Sequence, residues 1–298
     1  MEFKEKFVER YKGLTDFEKF QEAISQPARK SIRVNTIKIS LKELKSKISG
    51  LKQVPWCSEG FYIERKETAV GNLKEHFLGY FYVQEAASMI PALILDPAEG
   101  DLVLDMSAAP GSKTAQMAAM MKNGGAIIAN DVKWDRIKAL SMNLQRCGVS
   151  NTVITIYKGE FFPDIKFDKI LLDVPCSGEG NIRSNPKTYL IWNIKQVRKL
   201  SRMQRKIVAS AVKLLRDGGE LLYSTCTHSP EENEENVNFL LENFPLEVEK
   251  ISLPLKCRSG IKEWRGNKFD NQIENACRIY PQDNDTEGFF LCKMKKTD

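Results

Sequence analysis

Histidine is almost missing from this 298-residue chain: only His76 and His228 occur. Chemistry that needs several histidines is largely excluded, so a general acid or base must come mainly from Asp, Glu, Lys or Cys. The seven cysteines, at 57, 147, 176, 226, 257, 277 and 292, are odd in number and form no C-x-x-C pair. That pattern speaks against a disulfide framework and against a cysteine-rich zinc site, and no metal is expected. No stretch approaches the roughly 18 apolar residues that span a bilayer. The opening MEFKEKFVERYKG mixes charges where a secretory leader carries an apolar run, so a cytoplasmic protein without a membrane partner is expected. Internal repeats, low-complexity tracts and Pro/Ser-rich linkers are lacking as well.

What is present is an ordinary globular composition, 42% hydrophobic and 28% charged, in a chain long enough for one large domain or two modest ones. A core of that size needs no disulfide or structural metal. The net charge of +6 is unevenly spread. Residues 1–80 hold 16 Lys/Arg against 11 Asp/Glu, whereas residues 81–298 are nearly neutral, at 29 against 28. Between Glu179 and Asp217 there are ten basic residues and no acidic one, a local positive patch of the kind that meets phosphate.

Residues 1–79 read as a small α/β unit. An amphipathic helix carries Phe3, Phe7 and Tyr11, a second covers about 15–25, and SIRVNTIKI forms a strand. Ser40 caps a short helix with Leu41, Leu44 and Ile48, and FYI at 61–63 is strand-like. From about residue 80 to 298 strands and helices alternate, which predicts an α/β fold with a mostly parallel, Rossmann-like sheet. Expected strands are LVLDM (102–106), AIIAND (126–131), TVITI (152–156), KILLD (169–173), ELLYST (220–225) and a final GFFLCKM. Expected helices cover about 112–122, a segment with Trp134, Ile137, Ser141 and Leu144 ending at Gly148, and about 195–216 stopping at Gly218–Gly219. Another opens at Ser229-Pro230-Glu231-Glu232, with its acids facing the positive end of the dipole.

Strand, small-residue turn and helix start meet in Leu104-Asp105-Met106-Ser107-Ala108-Ala109-Pro110-Gly111-Ser112-Lys113-Thr114. Small residues let a ligand approach the backbone, and a helix N-terminus can hold a carboxylate. The segment is neither G-x-G-x-x-G nor a Walker loop, since Ser112 stands where Gly would precede the Lys. An ordinary strand-to-helix turn is the bland alternative. Asp131 ends the next strand, 26 positions after Asp105, where a carboxylate can bond both hydroxyls of a ribose or simply cap a helix. Glu160 suits an adenine contact or a solvated loop equally.

Two cysteines stand in loops after hydrophobic strands, in Asp173-Val174-Pro175-Cys176-Ser177-Gly178-Glu179-Gly180 and in Ser224-Thr225-Cys226-Thr227-His228-Ser229-Pro230. A free cysteine is more often a small buried hydrophobe than a catalyst, the expectation for Cys57, Cys147, Cys257, Cys277 and Cys292. Loop placement beside a cofactor turn reverses this for Cys176 and Cys226. Carbon 5 of cytosine is a poor nucleophile; a thiolate adding to carbon 6 makes an enamine that can attack a methyl donor. A thiolate is favoured by a helix N-terminus or a cation, and Cys226 lies just ahead of the helix expected at Ser229. Asp173 suits hydrogen bonding near N3 of the pyrimidine. Cys176, directly or through water, can take the carbon-5 proton.

The motifs SIRVNT, YVQEAASM, LDMSAAPGSKT, DKILLDVPCSGEG, YSTCTHSPEENEENV and RIYP…GFF occur in the order that resembles the Nop/Sun (RsmB-like) family of RNA cytosine-5 methyltransferases, from about Ser31 to Met294. The resemblance implies S-adenosylmethionine as cofactor, a class I methyltransferase domain and an N-terminal domain of RNA-recognition-like fold. It implies that the Thr-Cys cysteine, Cys226, is the nucleophile and that Cys176 assists product release. Lys113 and Asp173 are implied to organise the target base. The residues from Ser107 through Ala108, Ala109, Pro110, Gly111 and Ser112 to Lys113 are implied to bind cofactor, with Asp131, Arg136, Glu160 and Asp173. Departures are Ser107 and Ser112 where Cys and Gly are frequent, Glu160 for a commoner Asp, and Gln282 where His often follows RIYP.

On the helix at 195–216, Lys195, Arg198, Arg202 and Arg205 fall on one face and match a run of phosphates; a solvated basic face is the alternative. Trp192 and Tyr189 offer base stacking or core packing. The expectation is methyl transfer to cytosine in RNA, with the compact chain resembling archaeal tRNA members. The same reaction on ribosomal RNA, and a non-catalytic RNA-binding assembly factor, are the competing readings.

Overall fold

A computed structural model describes residues 3–64 and 69–297. Five parallel strands form the centre of the larger sheet, in the order Leu215–Thr225, Phe167–Asp173, Leu102–Asp105, Ala126–Asn130 and Thr152–Thr155. The three inner strands carry apolar runs, at 170–172, 102–104 and 126–129, because helices cover both faces. The chain starts at Leu102–Asp105, winds outward to Thr152–Thr155, and returns to the other side with Phe167–Asp173. Leu102–Asp105 is therefore a topological switch point, where a crevice opens beyond the strand ends. Phe289–Lys296 adds antiparallel to Leu215–Thr225, followed by Cys277–Ile279 and Arg258–Ser259, so the sheet is mixed.

The smaller sheet is antiparallel, ordered Leu51–Val54, Cys57–Ile63, Ser31–Val34 and Phe81–Val83. The last strand lies beyond the expected boundary at Gly79 and stays with the small sheet because it pairs with Ile32–Val34. SIRVNTIKI is a strand only to Val34, since Asn35 turns its side chain onto the carbonyls of Gly79 (2.8 Å) and Cys147 (2.7 Å). Ser40 caps Leu41–Lys47 in a reciprocal capping box with Glu43.

The first helices, Glu5–Lys12 and Phe17–Ser25, leave the small sheet and pack on the large domain. Phe7, Tyr11, Phe20 and Ile24 share a core with Ile182 and Trp192. Phe3 packs on Phe7 and Tyr189 but precedes the helix. The buried Arg10 guanidinium forks onto the Glu231 carboxylate, with its Nη1 3.0 Å from Oε1 and its Nη2 donating to Oε2.

Three sequence expectations change. Ser229 does not open a helix: the helix is Glu234–Asn243, and Glu231 and Glu232 lie in the preceding turn. Their carboxylates turn inward to buried donors instead of outward along a dipole. Gly218–Gly219 does not interrupt the chain between helix and strand, because the helix ends at Leu214 and the strand runs Leu215–Thr225 through both glycines. Cys257 and Cys277 are joined in a disulfide. Pairing of Ser259 with Cys277 sets the two Cα atoms 5.2 Å apart, a neighbourhood that spacing alone does not disclose. No helix among the described residues is long and apolar enough to cross a membrane.

Removing one partner of a buried ion pair strands the other charge, at about 3–5 kcal/mol. Glu231→Ala is therefore expected to lower unfolding free energy by about that amount in urea denaturation. Residues 1–25 should then become the first site of limited proteolysis; an unchanged cleavage pattern would contradict the docking role.

Candidate active site

The turn after Leu102–Asp105 is shaped by Gly111. Its φ of +104° is left-handed, and a Cβ there would meet Leu140 Cδ1 at 2.9 Å. Helix Ser112–Met120 then starts without a side-chain cap, leaving its first N–H groups for an incoming carboxylate. Beside it lies a cleft of about 430 Å³, lined by Ser107, Asp131, Arg136 and Glu160 and walled by the apolar Met203 and Ile207. Asp131 is buried; its Oδ1 accepts the Lys133 N–H, while Oδ2 lies 3.0 Å from Arg136 without a hydrogen-bond partner. Arg136 also donates to the Ala109 carbonyl, tying the turn to Asp131. A nucleoside with vicinal hydroxyls and an amino-acid carboxylate fits this set: an orphaned buried carboxylate oxygen, open helix N–H groups and an apolar wall. Of the expected cofactor residues, Ala108 and Ala109 lie beneath the cleft against Ile137 and Leu140, and Pro110 faces solvent. Ser112 begins the helix, and Lys113 and Asp173 lie toward the cysteines.

Asp173 and Ser224 are register partners at the ends of adjacent parallel strands. The loops that follow bring Cys176 Sγ and Cys226 Sγ to 3.2 Å. Backbone bonds stitch these loops: Gly180 N–H to Cys226 O and Gly288 N–H to Gly180 O, both 2.9 Å. The approach is so close that a Cβ on Gly288 would stand 2.2 Å from His228 Nε2. Lys113 Nζ donates to Asp173 (2.7 Å) and to Ser88 Oγ (3.1 Å), and Ser224 Oγ donates to the other Asp173 oxygen (3.1 Å). Burial works to lower the Lys113 pKa, but Asp173, Asp105 and Cys226 outweigh it and hold the ammonium charged. The hydrogen bond to Cys226, followed by burial, raises the Cys176 thiol well above its ordinary range. The arrangement is a protonated thiol facing a second sulfur, with a lysine on the far side.

Two family models cover nearly the whole chain: 16S rRNA methyltransferase RsmB/F over residues 92–295, and the N-terminal domain of 16S rRNA methyltransferase RsmF over residues 3–86. The chain belongs to the RsmB/F family of RNA methyltransferases. It is an S-adenosylmethionine-dependent RNA cytosine-5 methyltransferase. It is 46% identical to the tRNA (cytosine(49)-C(5))-methyltransferase of Pyrococcus abyssi, with 99% of each chain covered. It is 41% identical to ribosomal RNA small subunit methyltransferase F of an Enterobacter species over 94% of this chain, and spans only 60% of that longer relative. The structure of NSun6 from Pyrococcus horikoshii with SFG superposes with a TM-score of 0.85, at 28% identity and 99% coverage of both chains. The expected Rossmann-like methyltransferase fold with a small N-terminal domain bearing an antiparallel sheet is thus the family's fold.

In this methyltransferase the helix expected to begin at Ser229, and to activate Cys226, starts too late to do so. The nearby cation is Lys113. Sequence reasoning also missed the buried carboxylates that frame the cysteine loops. Glu179 accepts from Trp192 Nε1 and Ser229 Oγ, both 2.6 Å, and from the Tyr11 hydroxyl at 3.2 Å. His228 Nδ1 lies 3.1 Å from the same hydroxyl; burial, then Arg278, push this imidazole down to about 3, so it is neutral. Glu179 and Ser88 stand inside motifs already singled out, but only the fold supplies their partners.

The methyltransferase's basic helix is Ile194–Leu214. Lys195, Arg198 and Arg202 are exposed. Arg205 is not part of a free stripe: it donates to Asn236 Oδ1 (3.0 Å) and pairs with Glu235 (3.4 Å), because acids from another element supply what residues 180–216 lack. Across a groove from Arg198 and Arg202 stands Arg265. Trp192 is core, and Tyr189 packs on Phe3.

Gly111→Ala forces a left-handed alanine against Leu140. A loss of about 1–3 kcal/mol in unfolding free energy is expected, with weaker S-adenosylmethionine binding in calorimetry. Full affinity and stability would show that the turn tolerates a side chain.

Proposed function

We propose that this enzyme methylates carbon 5 of cytosine in transfer RNA, at position 49 as its full-length relative does, through a covalent bond between Cys226 and carbon 6. The observation that carries the mechanism is the 3.2 Å contact between Cys226 and Cys176 beside Lys113 and Asp173. S-adenosylmethionine, when bound, supplies an electrophilic methyl group. The N–H groups at Ser112 and Lys113 suit its carboxylate, Asp131 its ribose hydroxyls, and Ser107, Arg136 and Glu160 line the same cleft. Ala108, Ala109, Pro110 and Gly111 form the turn that brings these backbone groups close.

Cys226 attacks as a thiolate next to the Lys113 ammonium. Asp173, anchored by Lys113 and Ser224, hydrogen-bonds the pyrimidine near N3 and stabilises the adduct. Once Cys226 is bonded to carbon 6, Cys176 loses the contact that keeps it protonated and can release its proton to water; after methyl transfer the Cys176 thiolate, directly or through water, takes the carbon-5 proton, the C5=C6 bond re-forms, and Cys226 leaves as thiolate. Because a stacked base cannot reach either sulfur, the cytosine must leave its stack.

The RNA path we propose runs along Lys195, Arg198 and Arg202, faced by Arg265, with Arg205 as a buttress rather than a phosphate ligand. The basic N-terminal unit, residues 1–79 with the strand that follows, serves as the docking module. Near-complete coverage of the tRNA relative, against partial coverage of the longer ribosomal ones, supports tRNA over ribosomal RNA.

Cys226→Ala is expected to abolish methylation, and Cys176→Ala to accumulate a protein–RNA adduct on denaturing gels, since elimination stalls after attack. An adduct formed by Cys226→Ala would reverse the two roles. With bulk tRNA, ribosomal RNA and labelled cofactor, label should enter tRNA and map to cytosine 49. Label confined to ribosomal RNA would overturn the substrate, and cofactor binding without transfer to any RNA would favour a scaffold.

A further inference from the structure

The two sulfurs are chemically alike, and in the geometry of their 3.2 Å contact either could be the donor. The asymmetry lies around them. Glu232 is fully buried and belongs to the Cys226 side of the chain, yet its Oε2 accepts the backbone N–H of Ser177 (3.0 Å), the residue after Cys176. The same oxygen accepts Gln204 Nε2 (2.8 Å), which also donates to the carbonyl of Pro175 (2.8 Å), the residue before Cys176. The carboxylate therefore brackets Cys176 from both sides along the chain. Its other oxygen, Oε1, is buried without a hydrogen-bond partner. Lys113 stands by Cys226, whose charge together with those of Asp173 and Asp105 helps hold the lysine protonated.

We propose that Glu232 is a positioning residue which, opposed to Lys113, polarises the cysteine pair so that the proton rests on Cys176 and Cys226 is the sulfur that attacks. A negative charge disfavours a thiolate on the near sulfur, and a positive charge favours one on the far sulfur. The other titratable groups around these are Asp173, bound to Lys113; Asp105, which acts on both; Glu179, which opposes ionisation of Glu232; and the buried Tyr223 hydroxyl beside Cys176. Burial pushes the Glu232 carboxyl up to about 7. The bias is thus present once pH rises above about 7, where Glu232 is ionised, and fades as pH falls through that value. This inference rests on the assignment of Cys226 as nucleophile.

The test needs neither RNA nor methyl transfer. Both cysteines are partly accessible, whereas Cys57, Cys147 and Cys292 are buried. The full-length enzyme is alkylated with iodoacetamide across pH 6–9, and label at each cysteine is quantified by mass spectrometry. In the parent enzyme Cys226 should react first above pH 7. Glu232→Gln, isosteric and uncharged, should raise the Cys176:Cys226 labelling ratio at pH 8 by about threefold or more, the effect of about half a pKa unit. Glu232→Asp, which keeps the charge, should retain much of the parent preference. An unchanged ratio in Glu232→Gln overturns the proposal. So does a Glu232→Asp variant that behaves like Glu232→Gln, since shape rather than charge would then be at work. If labelling behaves as expected but Cys226→Ala still methylates RNA, the catalytic assignment fails and the electrostatic bias stands.

Discussion

A carboxylate taken out of water must be given donors, and in this protein that requirement holds the two cysteine loops together. Glu179, Glu232 and Glu234 are fully buried, and Glu231 nearly so. Each reaches across to a different part of the chain: Glu179 to Trp192 and Tyr11, Glu231 to Arg10, Glu232 to Ser177 and Gln204, and Glu234 to Arg278. Unpaired, any one of them would cost several kcal/mol. Paired, they specify where the Cys176 loop, the Cys226 loop and the N-terminal helices sit relative to one another. The sulfur contact at 3.2 Å is the product of these long-range pairings together with the backbone bonds at Gly180 and Gly288.

The same logic explains why residues 3–25 are not part of the small sheet's packing. Tyr11 completes the donor set of Glu179, and Arg10 neutralises Glu231. These helices act as a plug over the back of the Cys226 loop. The C-terminal part of the chain is drawn in too: Gln282 donates to Thr15 Oγ1 at 2.7 Å.

Periodicity and punctuation made most elements legible in the sequence. The five parallel strands, the Ser40 cap and the Gly148 helix stop all follow local rules, because one or two residues decide them. The places of Cys176 and Cys226 in loops after strands were legible too, and the fold brings their sulfurs together. What escaped was set by partners far away along the chain. SPEE at 229–232 carries every local mark of a helix start, yet Arg10, more than two hundred residues earlier, and Ser177 recruit its acids into a turn. Arg205 looked like one cation of a stripe until Glu235 and Asn236 came beside it. Cys257 and Cys277 looked like isolated core residues until a two-residue strand pairing brought them together.

Between the two sheets the chain is latched at several points. Asn35 bonds the carbonyls of Gly79 and Cys147, and Lys38 bonds those of Leu78 (3.1 Å) and Arg146 (2.7 Å). Arg146 in turn donates to His76 O at 2.7 Å, and the buried Arg33 reaches the carbonyl of Ser112 at the start of helix Ser112–Met120 (3.3 Å). The small sheet cannot swing as a clamp without breaking the buried Asn35–Cys147 bond together with those from Lys38 to Arg146, from Arg146 to His76 and from Arg33 to Ser112. On the proposed docking role of the small unit, the enzyme is a fixed ruler: the span from that unit to the sulfurs is set before any nucleic acid arrives. On that proposal, an RNA is chosen by whether its own bends and unpaired segments can lay one cytosine at that distance.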